Sequence, residues 1–122
     1  MPYAKCVIVY ADDDQLVRDV VTASLEFEGW IVHACGDGDE AVTLCLETQP
    51  NAVLLDLNMP NVDGFEAARR LRAGTNCHPA RIVAITGRAT QQNVTHALSS
   101  GFDAVLTKPF KIGALLDAIR PR

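Results

Sequence analysis

Acidic side chains follow two apolar runs of this sequence. Asp12, Asp13 and Asp14 come directly after the first run, and Asp56 lies near the end of the third. If these runs are neighbouring parallel strands, the carboxylates converge, and two unit charges about 4 Å apart repel by roughly 4 kcal/mol at an effective dielectric of 20. Such a cluster must bind a cation or take up protons. Mg²⁺ suits an open site of this kind, with few protein oxygen ligands and several waters.

Helix capping is the other role open to the three consecutive aspartates. A carboxylate at the start of a helix accepts hydrogen bonds from free N–H groups and favours the helix dipole, and we expect Asp14 to do this. We do not expect all three to act only as caps. Asp56 follows four apolar residues, where an unpaired carboxylate is costly. The sequence therefore favours a charged site that contains Asp12, Asp13 and Asp56.

Two further apolar runs end in residues that suit a phosphate. Thr86 ends the fourth run and Lys108 follows the fifth. A lysine at the same sheet edge as a carboxylate cluster supplies a positive charge for a phosphate, and a threonine hydroxyl can donate to a phosphoryl oxygen. Each residue is common by itself, so their joint placement is the signal. The sequence has no glycine-rich loop of the GxxxxGKS type, which excludes nucleotide hydrolases of that class.

The elements that must position these residues are short apolar runs separated by segments of helical period. The runs are rich in Val and Ile and mostly lack alternation, as strands buried on both faces of a parallel sheet do. Strand and helix alternate five times, which predicts a single doubly wound, five-stranded parallel α/β sheet whose ligands bind outside the carboxyl ends of the strands. The predicted strands are 6–11, 30–34, 52–57, 82–86 and 104–107, and the predicted helices are 14–28, 39–48, 63–73, 90–100 and 111–119.

Composition and charge limit the class of protein. The 122 residues, 48% hydrophobic and 21% charged, predict one globular domain that spans 1–122. The net charge of −4 argues against a nucleic-acid-binding module, which would usually be basic. Arg69, Arg70 and Arg72 have the spacing of a solvated helix face. We therefore expect no direct binding of nucleic acid by this chain.

Cysteine usage and hydropathy predict the compartment. The four cysteines form no CxxC pair and no zinc spacing. Cys6, Cys35 and Cys45 lie in apolar runs, which predicts buried free thiols in a reducing compartment. The sequence has neither a secretory signal nor a run as long as a transmembrane helix. We therefore expect a cytoplasmic protein that does not bind a membrane.

Four segments at the predicted strand ends together resemble the receiver domain of two-component response regulators. They are Val9–Asp14, Leu54–Pro60 with Asp63 and Gly64, Ala84–Gly87, and Leu106–Phe110. The resemblance covers nearly the whole chain, and as an ordered set it is highly specific. It implies a flavodoxin-like (βα)5 fold with strand order 2-1-3-4-5 and a function in phosphorelay signalling.

The resemblance also implies the chemistry of the acidic residues. Asp56 would accept a phosphoryl group as an aspartyl phosphate. The donor would be the phosphohistidine of a sensor histidine kinase or of a histidine phosphotransfer protein, or a small phosphodonor. Asp13 would bind Mg²⁺ directly and Asp12 through a water, with the backbone carbonyl of Asn58 as another ligand. Mg²⁺ would bridge Asp56 and the incoming phosphoryl group. The protein would catalyse its own phosphotransfer and autodephosphorylation, without turnover of a separate substrate.

The implied switch depends on residues at the last two strands. Lys108 would pair with the phosphoryl oxygens, and Thr86 would move to hydrogen-bond one of them, which would bias a surface of the fourth helix, fifth strand and fifth helix. That surface would bind a downstream protein target. The resemblance further implies a cis bond between Lys108 and Pro109. Val105 stands where many receivers carry an aromatic residue, so the output mechanism is expected to differ from theirs.

Four other interpretations share part of this sequence pattern. A flavodoxin-like cofactor carrier would need a glycine- and hydroxyl-rich loop after the first strand, where Asp12, Asp13 and Asp14 would repel a phosphate. A phosphatase resembling haloacid dehalogenases requires a second acid two residues after its nucleophile, and Asn58 stands there. A phosphorylation-independent receiver-like interaction module, or a receiver segment of a hybrid histidine kinase, remains an alternative to a stand-alone regulator.

Overall fold

The computed structural model describes residues 6–73, 76–79, 81–88 and 90–120, in which five parallel strands form one sheet of order 2-1-3-4-5. The predicted fold class and strand order are confirmed. The strands are β1 (Val7–Ala11), β2 (Ile31–Cys35), β3 (Ala52–Asp56), β4 (Arg81–Thr86) and β5 (Ala104–Thr107). The helices are α1 (Gln15–Phe27), α2 (Gly38–Thr48), α3 (Gly64–Arg72), α4 (Gln91–Ser99) and α5 (Ile112–Ile119).

The helices cover both faces of the sheet and divide the core into two layers. The layer under α1 and α5 contains Ile8, Tyr10 and Leu54 of the central strands. The layer under α2, α3 and α4 contains their sequence neighbours Val9 and Val53. Successive side chains of a strand point to opposite faces, so each central strand supplies both layers. This explains why the runs have no polar alternation.

Burial differs between central and edge strands. Every residue of β3 and β4 is buried, as is β1 after Val7, whereas most residues of β2 and β5 are exposed or half-buried. The prediction of strands buried on both faces is therefore right for the three central strands and wrong for the other two. The physical reason is position, because β2 and β5 form the sheet edges and each has a strand neighbour on one side alone.

Local signals set the helix ends close to the predicted ones. The Asp14 carboxylate accepts hydrogen bonds from Leu16 and Val17 N–H groups at 3.1 and 3.2 Å, which confirms its expected capping role. Past the end of α1, Gly29 has φ +96°, a conformation that a residue with a Cβ rarely adopts. No element boundary differs from the predicted one by more than one residue.

The apolar stripe of α1 is wider than the face that the sheet covers. Val21 and Leu25 are buried, whereas Leu16 and Val20 are 79% and 66% exposed. These exposed residues line a cleft of about 470 Å³ with Lys108 and its two following residues. Sequence periodicity alone could not separate the buried part of the stripe from the exposed part.

Two of the three cysteines predicted to be buried are buried, and one is not. Cys35 and Cys45 lie in the core, together with Cys77, while Cys6 is exposed because it precedes β1 at the rim of the sheet. Burial raises the pKa of the Cys45 thiol, which shares a hydrogen bond with the Cys77 thiol. Within the described ranges, no helix has the length and apolar character needed to cross a membrane.

Candidate functional site

Strand pairing brings the two acidic segments together. β1 pairs with β3 in a register that sets Ala11 beside Leu55, so the next residues, Asp12 just past β1 and Asp56 at the end of β3, lie side by side. The Asp12 N–H still donates to the Cys35 carbonyl of β2 at 3.1 Å, which extends the pairing past the end of β1. The sheet itself thus fixes the positions of both aspartates at its carboxyl edge.

Three carboxylates form a cluster at this edge. Oxygen atoms of Asp12, Asp13 and Asp56 all lie within 4.8 Å of one another. Asp12 is fully buried and Asp56 is 5% exposed, whereas Asp13 is open to solvent. The three oxygens match the ligands that Mg²⁺ prefers, and the exposed side of the cluster leaves room for the waters that it keeps. The residues therefore fit the predicted metal ion.

Lys108 joins the two buried carboxylates. Its ammonium nitrogen lies 2.9 Å from Asp12 Oδ2 and 2.9 Å from Asp56 Oδ2. The Lys108 N–H donates to the Thr86 carbonyl at 2.8 Å, which fixes the start of this loop against β4. The peptide bond between Lys108 and Pro109 is cis, as the resemblance implied. A single cation thus neutralises part of the negative charge at the sheet edge.

Burial and charge act in opposite directions on the titration of these groups. Burial raises the pKa of Asp56 and the nearby Asp12 adds to this, although the Asn58 N–H and Lys108 favour the ionised form. Burial also opposes the charged form of Lys108, but its hydrogen bonds to Asp12 and Asp56 raise its pKa above the ordinary value. The ammonium group therefore stays charged, while Asp56 ionises less readily than a solvated aspartate.

The backbone around Asp56 is held from two sides. The Asn58 N–H donates to Asp56 Oδ1 at 3.0 Å. A Cβ added at Gly64, the first residue of α3, would collide with the Asp56 carbonyl oxygen, so α3 begins in direct contact with that backbone. Asp63 caps α3 by accepting from the Glu66 N–H at 3.0 Å. The Asp-Gly pair that contributed to the resemblance therefore lets a helix start against the strand end.

Thr86 is near the site, but its hydroxyl group is engaged elsewhere. The residue is 1% exposed at the end of β4. Its hydroxyl group donates to the Arg88 carbonyl at 3.1 Å and accepts from the Arg88 N–H at 3.0 Å. The Arg88 carbonyl also accepts from the Asn93 side chain of α4 at 3.0 Å. The structure thus connects Thr86 to the start of α4, and the sequence did not indicate this arrangement.

Two residues of the site were missed in the sequence. The Tyr10 hydroxyl donates to Asp12 Oδ2 at 3.0 Å, and the Arg18 guanidinium donates to the Asp12 carbonyl at 2.6 Å. Burial, with the charges of Asp12 and Asp56, raises the pKa of Tyr10, so its hydroxyl group keeps its proton. A phenol two residues before an acid, in an otherwise aliphatic strand, was the available signal, because residues two apart share a face.

Comparisons with known proteins place the chain in a family. A family model described as the response regulator receiver domain matches residues 8–120. The response regulator MprA of Mycobacterium sp. (strain KMS) is 38% identical over 113 residues, which are 93% of this chain and 48% of that protein. The DNA-binding dual master transcriptional regulator RpaA of Synechocystis sp. is 34% identical over 113 residues, 93% of this chain and 47% of its own.

A solved receiver domain has the same fold as this chain. The receiver domain of sensor histidine kinase PA1611 from Pseudomonas aeruginosa PAO1, with a magnesium ion coordinated in its active-site cleft, has a TM-score of 0.86 and 31% identity over 95% of each chain. This chain therefore belongs to the response regulator receiver domain family, the signalling modules of two-component systems that partner with histidine kinases. It spans about half the length of the curated relatives that it matches.

Proposed function

We propose that residues 1–122 form one receiver unit that accepts a phosphoryl group on Asp56 in a Mg²⁺-dependent reaction. The observation that carries the proposal is the joint placement of Asp12, Asp13, Asp56 and Lys108 at one sheet edge, with the ammonium 2.9 Å from each of the two buried carboxylates. Three neighbouring carboxylates repel one another, and two of these three are buried, so the cluster is poorly stabilised by itself. Such a site is suited to bind a cation and, with it, an anionic substrate.

The proposed reaction uses an ionised Asp56. One of its carboxylate oxygens attacks phosphorus, and the bond from phosphorus to the donor breaks, leaving imidazole when the donor is a phosphohistidine. Asp12, Asp13, Asp56 and the backbone carbonyl of Asn58 would hold Mg²⁺. When bound, Mg²⁺ would supply positive charge between Asp56 and the phosphoryl oxygens. Lys108 would pair with the same oxygens in the product.

The proposed switch begins at Thr86. For its hydroxyl group to reach a phosphoryl oxygen, it must give up the hydrogen bond that it donates to the Arg88 carbonyl. Because that carbonyl also accepts from Asn93 in the first turn of α4, this change would be transmitted to α4. Val105 of β5 is half-buried against the core, so an aromatic side chain is not the connection here. A downstream protein would then bind the surface of α4, β5 and α5.

We infer the partners from the same chemistry. The donor would be a sensor histidine kinase or a histidine phosphotransfer protein. The name of the relative RpaA describes DNA binding by that protein, and this chain matches about half of its length. The net charge of −4 on this chain argues against direct binding to DNA through the receiver unit itself.

Intact mass spectrometry after incubation with acetyl phosphate tests the proposal. We expect one phosphoryl adduct that requires Mg²⁺ and is lost in Asp56→Asn. Asp117→Asn is the matched control, since it makes the same chemical change on an exposed side chain of α5 and should label like the wild type. Absence of an adduct with a fast phosphodonor and early quenching would refute the proposal and favour a phosphorylation-independent interaction module.

A further inference from the structure

Tyr10 is a core residue whose hydroxyl group reaches the carboxylate cluster at the edge of the sheet. The residue is fully buried in β1, on the face that packs against α1 and α5. Asp12 follows two residues later, and the Tyr10 hydroxyl donates to its Oδ2 atom at 3.0 Å. A buried phenol usually finds a hydrogen-bond partner. Here the partner is a carboxylate of the candidate metal site.

The hydrogen-bond partners of the Asp12 carboxylate differ in how firmly they are held in place. Oδ1 accepts from the Asp14 N–H at 2.9 Å, a backbone contact at the start of α1. Oδ2 accepts from Tyr10 and lies 2.9 Å from Lys108, which also contacts Asp56. Lys108 is a long side chain that is 23% exposed and has two partners, whereas the ring of Tyr10 is enclosed by the core.

We propose that Tyr10 is a positioning residue, which holds the Asp12 carboxylate in its Mg²⁺-binding orientation and remains its donor when Lys108 turns to the phosphoryl group. This inference rests on the proposed function. In that function Lys108 pairs with the product on Asp56 and so weakens its contact with Asp12. Asp12 is fully buried, so bulk solvent does not replace the lost hydrogen bond, and an unsatisfied buried carboxylate oxygen is costly. The Tyr10 hydroxyl group satisfies it in both states.

The Tyr10→Phe variant tests the role of the hydroxyl group, because it keeps the buried ring and removes one oxygen. Mg²⁺ affinity of the unphosphorylated protein, measured by isothermal titration calorimetry, should weaken by about 10-fold or more, as outer-shell partners of metal ligands typically contribute roughly 10–100-fold. Tyr3→Phe is the matched control, since Tyr3 is the other of the two tyrosines in the chain, and the Mg²⁺ affinity of this variant should equal that of the wild type.

A double-mutant cycle separates positioning from packing. If Tyr10 acts through the Asp12 carboxylate, Tyr10→Phe should have little further effect on Mg²⁺ affinity in an Asp12→Asn background. An equal effect in both backgrounds would mean that the hydroxyl group acts on packing, and it would overturn the inference. A Tyr10→Phe affinity within twofold of the wild type would also overturn it.

A spectroscopic measurement covers the case in which Tyr10→Phe does not fold. In a Tyr3→Phe protein labelled with 3-fluorotyrosine, Tyr10 gives the single ¹⁹F resonance, and Mg²⁺ should shift it. An unshifted resonance at saturating Mg²⁺ would overturn the inference. The wild type distinguishes the failure of the proposed function from the failure of the Tyr10 inference. If the wild type binds no Mg²⁺, the proposed function and the Tyr10 inference both fail. If the wild type and Tyr10→Phe bind Mg²⁺ and are phosphorylated equally well, the Tyr10 inference alone is refuted.

Discussion

Replacement of Lys108 by methionine should destabilise the metal-free protein through the charges that it leaves behind. The ammonium lies 2.9 Å from an oxygen of Asp12 and of Asp56. Without it, two carboxylates within 4.8 Å face each other, and unit charges at that separation repel by roughly 3.5 kcal/mol at an effective dielectric of 20. Loss of one partner of a buried ion pair generally costs about 3–5 kcal/mol. We expect the free energy of unfolding to fall by about 3 kcal/mol in mildly alkaline buffer.

The loss of unfolding free energy in Lys108→Met, which we call its stability deficit, should depend on pH with a defined sign. Burial raises the pKa of Asp56 while Lys108 opposes the rise, so Lys108→Met should raise that pKa further. A carboxyl group whose pKa is raised in the folded state stabilises the fold below its unfolded pKa and loses that contribution as the pH rises through the folded value. The deficit of the variant should therefore shrink as the buffer is acidified toward the ordinary aspartate range.

The stability deficit of Lys108→Met is measured by urea unfolding, monitored by circular dichroism, in alkaline and in acidic buffer, each with and without Mg²⁺. The ion should restore part of the stability of Lys108→Met, because it replaces the missing positive charge and binds the folded state alone. Lys111→Met is the matched control, since it removes the same charge from an exposed position at the start of α5. A variant as stable as the wild type without Mg²⁺, or a deficit that neither acid nor Mg²⁺ reduces, would refute the reasoning.

Three further predictions concern the same edge of the sheet. Gly64→Ala should destabilise the fold by about 1–3 kcal/mol in urea unfolding and slow labelling by acetyl phosphate, because the added Cβ would collide with the Asp56 carbonyl. Gly113→Ala is the control, since the space around Gly113 is open, and it should change neither stability nor labelling. Thr86→Val should still label on Asp56 but lose the phosphorylation-dependent shift of the Arg88 amide resonance, because the hydroxyl that bonds to the Arg88 backbone is gone; an unchanged shift contradicts this. A ¹³C NMR titration without metal should give Asp56 a pKa above the ordinary aspartate range, since burial raises it, and an ordinary value contradicts the electrostatics of the site.

Most of the fold could be predicted because local signals agree with the global pattern. Apolar runs at regular intervals identified all five strands within one residue of their observed ends. Asp14 and Gly29 marked the two ends of α1 through chemistry that the sequence displays directly. The exposure of β2 and β5 could not be predicted, since the same apolar composition serves a central or an edge strand, and only strand order distinguishes them.

The candidate site was predicted less completely than the fold. Asp12, Asp13 and Asp56 were expected to converge, and the strand register brings them together. The orientation of the Thr86 hydroxyl could not be predicted, because a hydroxyl can accept and donate and its partner depends on the loop conformation. Tyr10 was missed because an aromatic residue within an apolar run is indistinguishable from core packing until its hydroxyl group is placed in space.

The shallow attachment of α4 has a consequence for how this protein can diverge. Ala97 is the buried residue of this helix, and His96 stacks on Phe65 of α3 with ring centroids 4.1 Å apart. The other side chains of α4 are exposed or half-buried, and substitutions at such positions usually change stability by less than about 0.5 kcal/mol. Mutations can therefore accumulate on the outer face of α4 without loss of the fold, so a duplicated copy of the gene could acquire a new target while the phosphorylation chemistry stays intact.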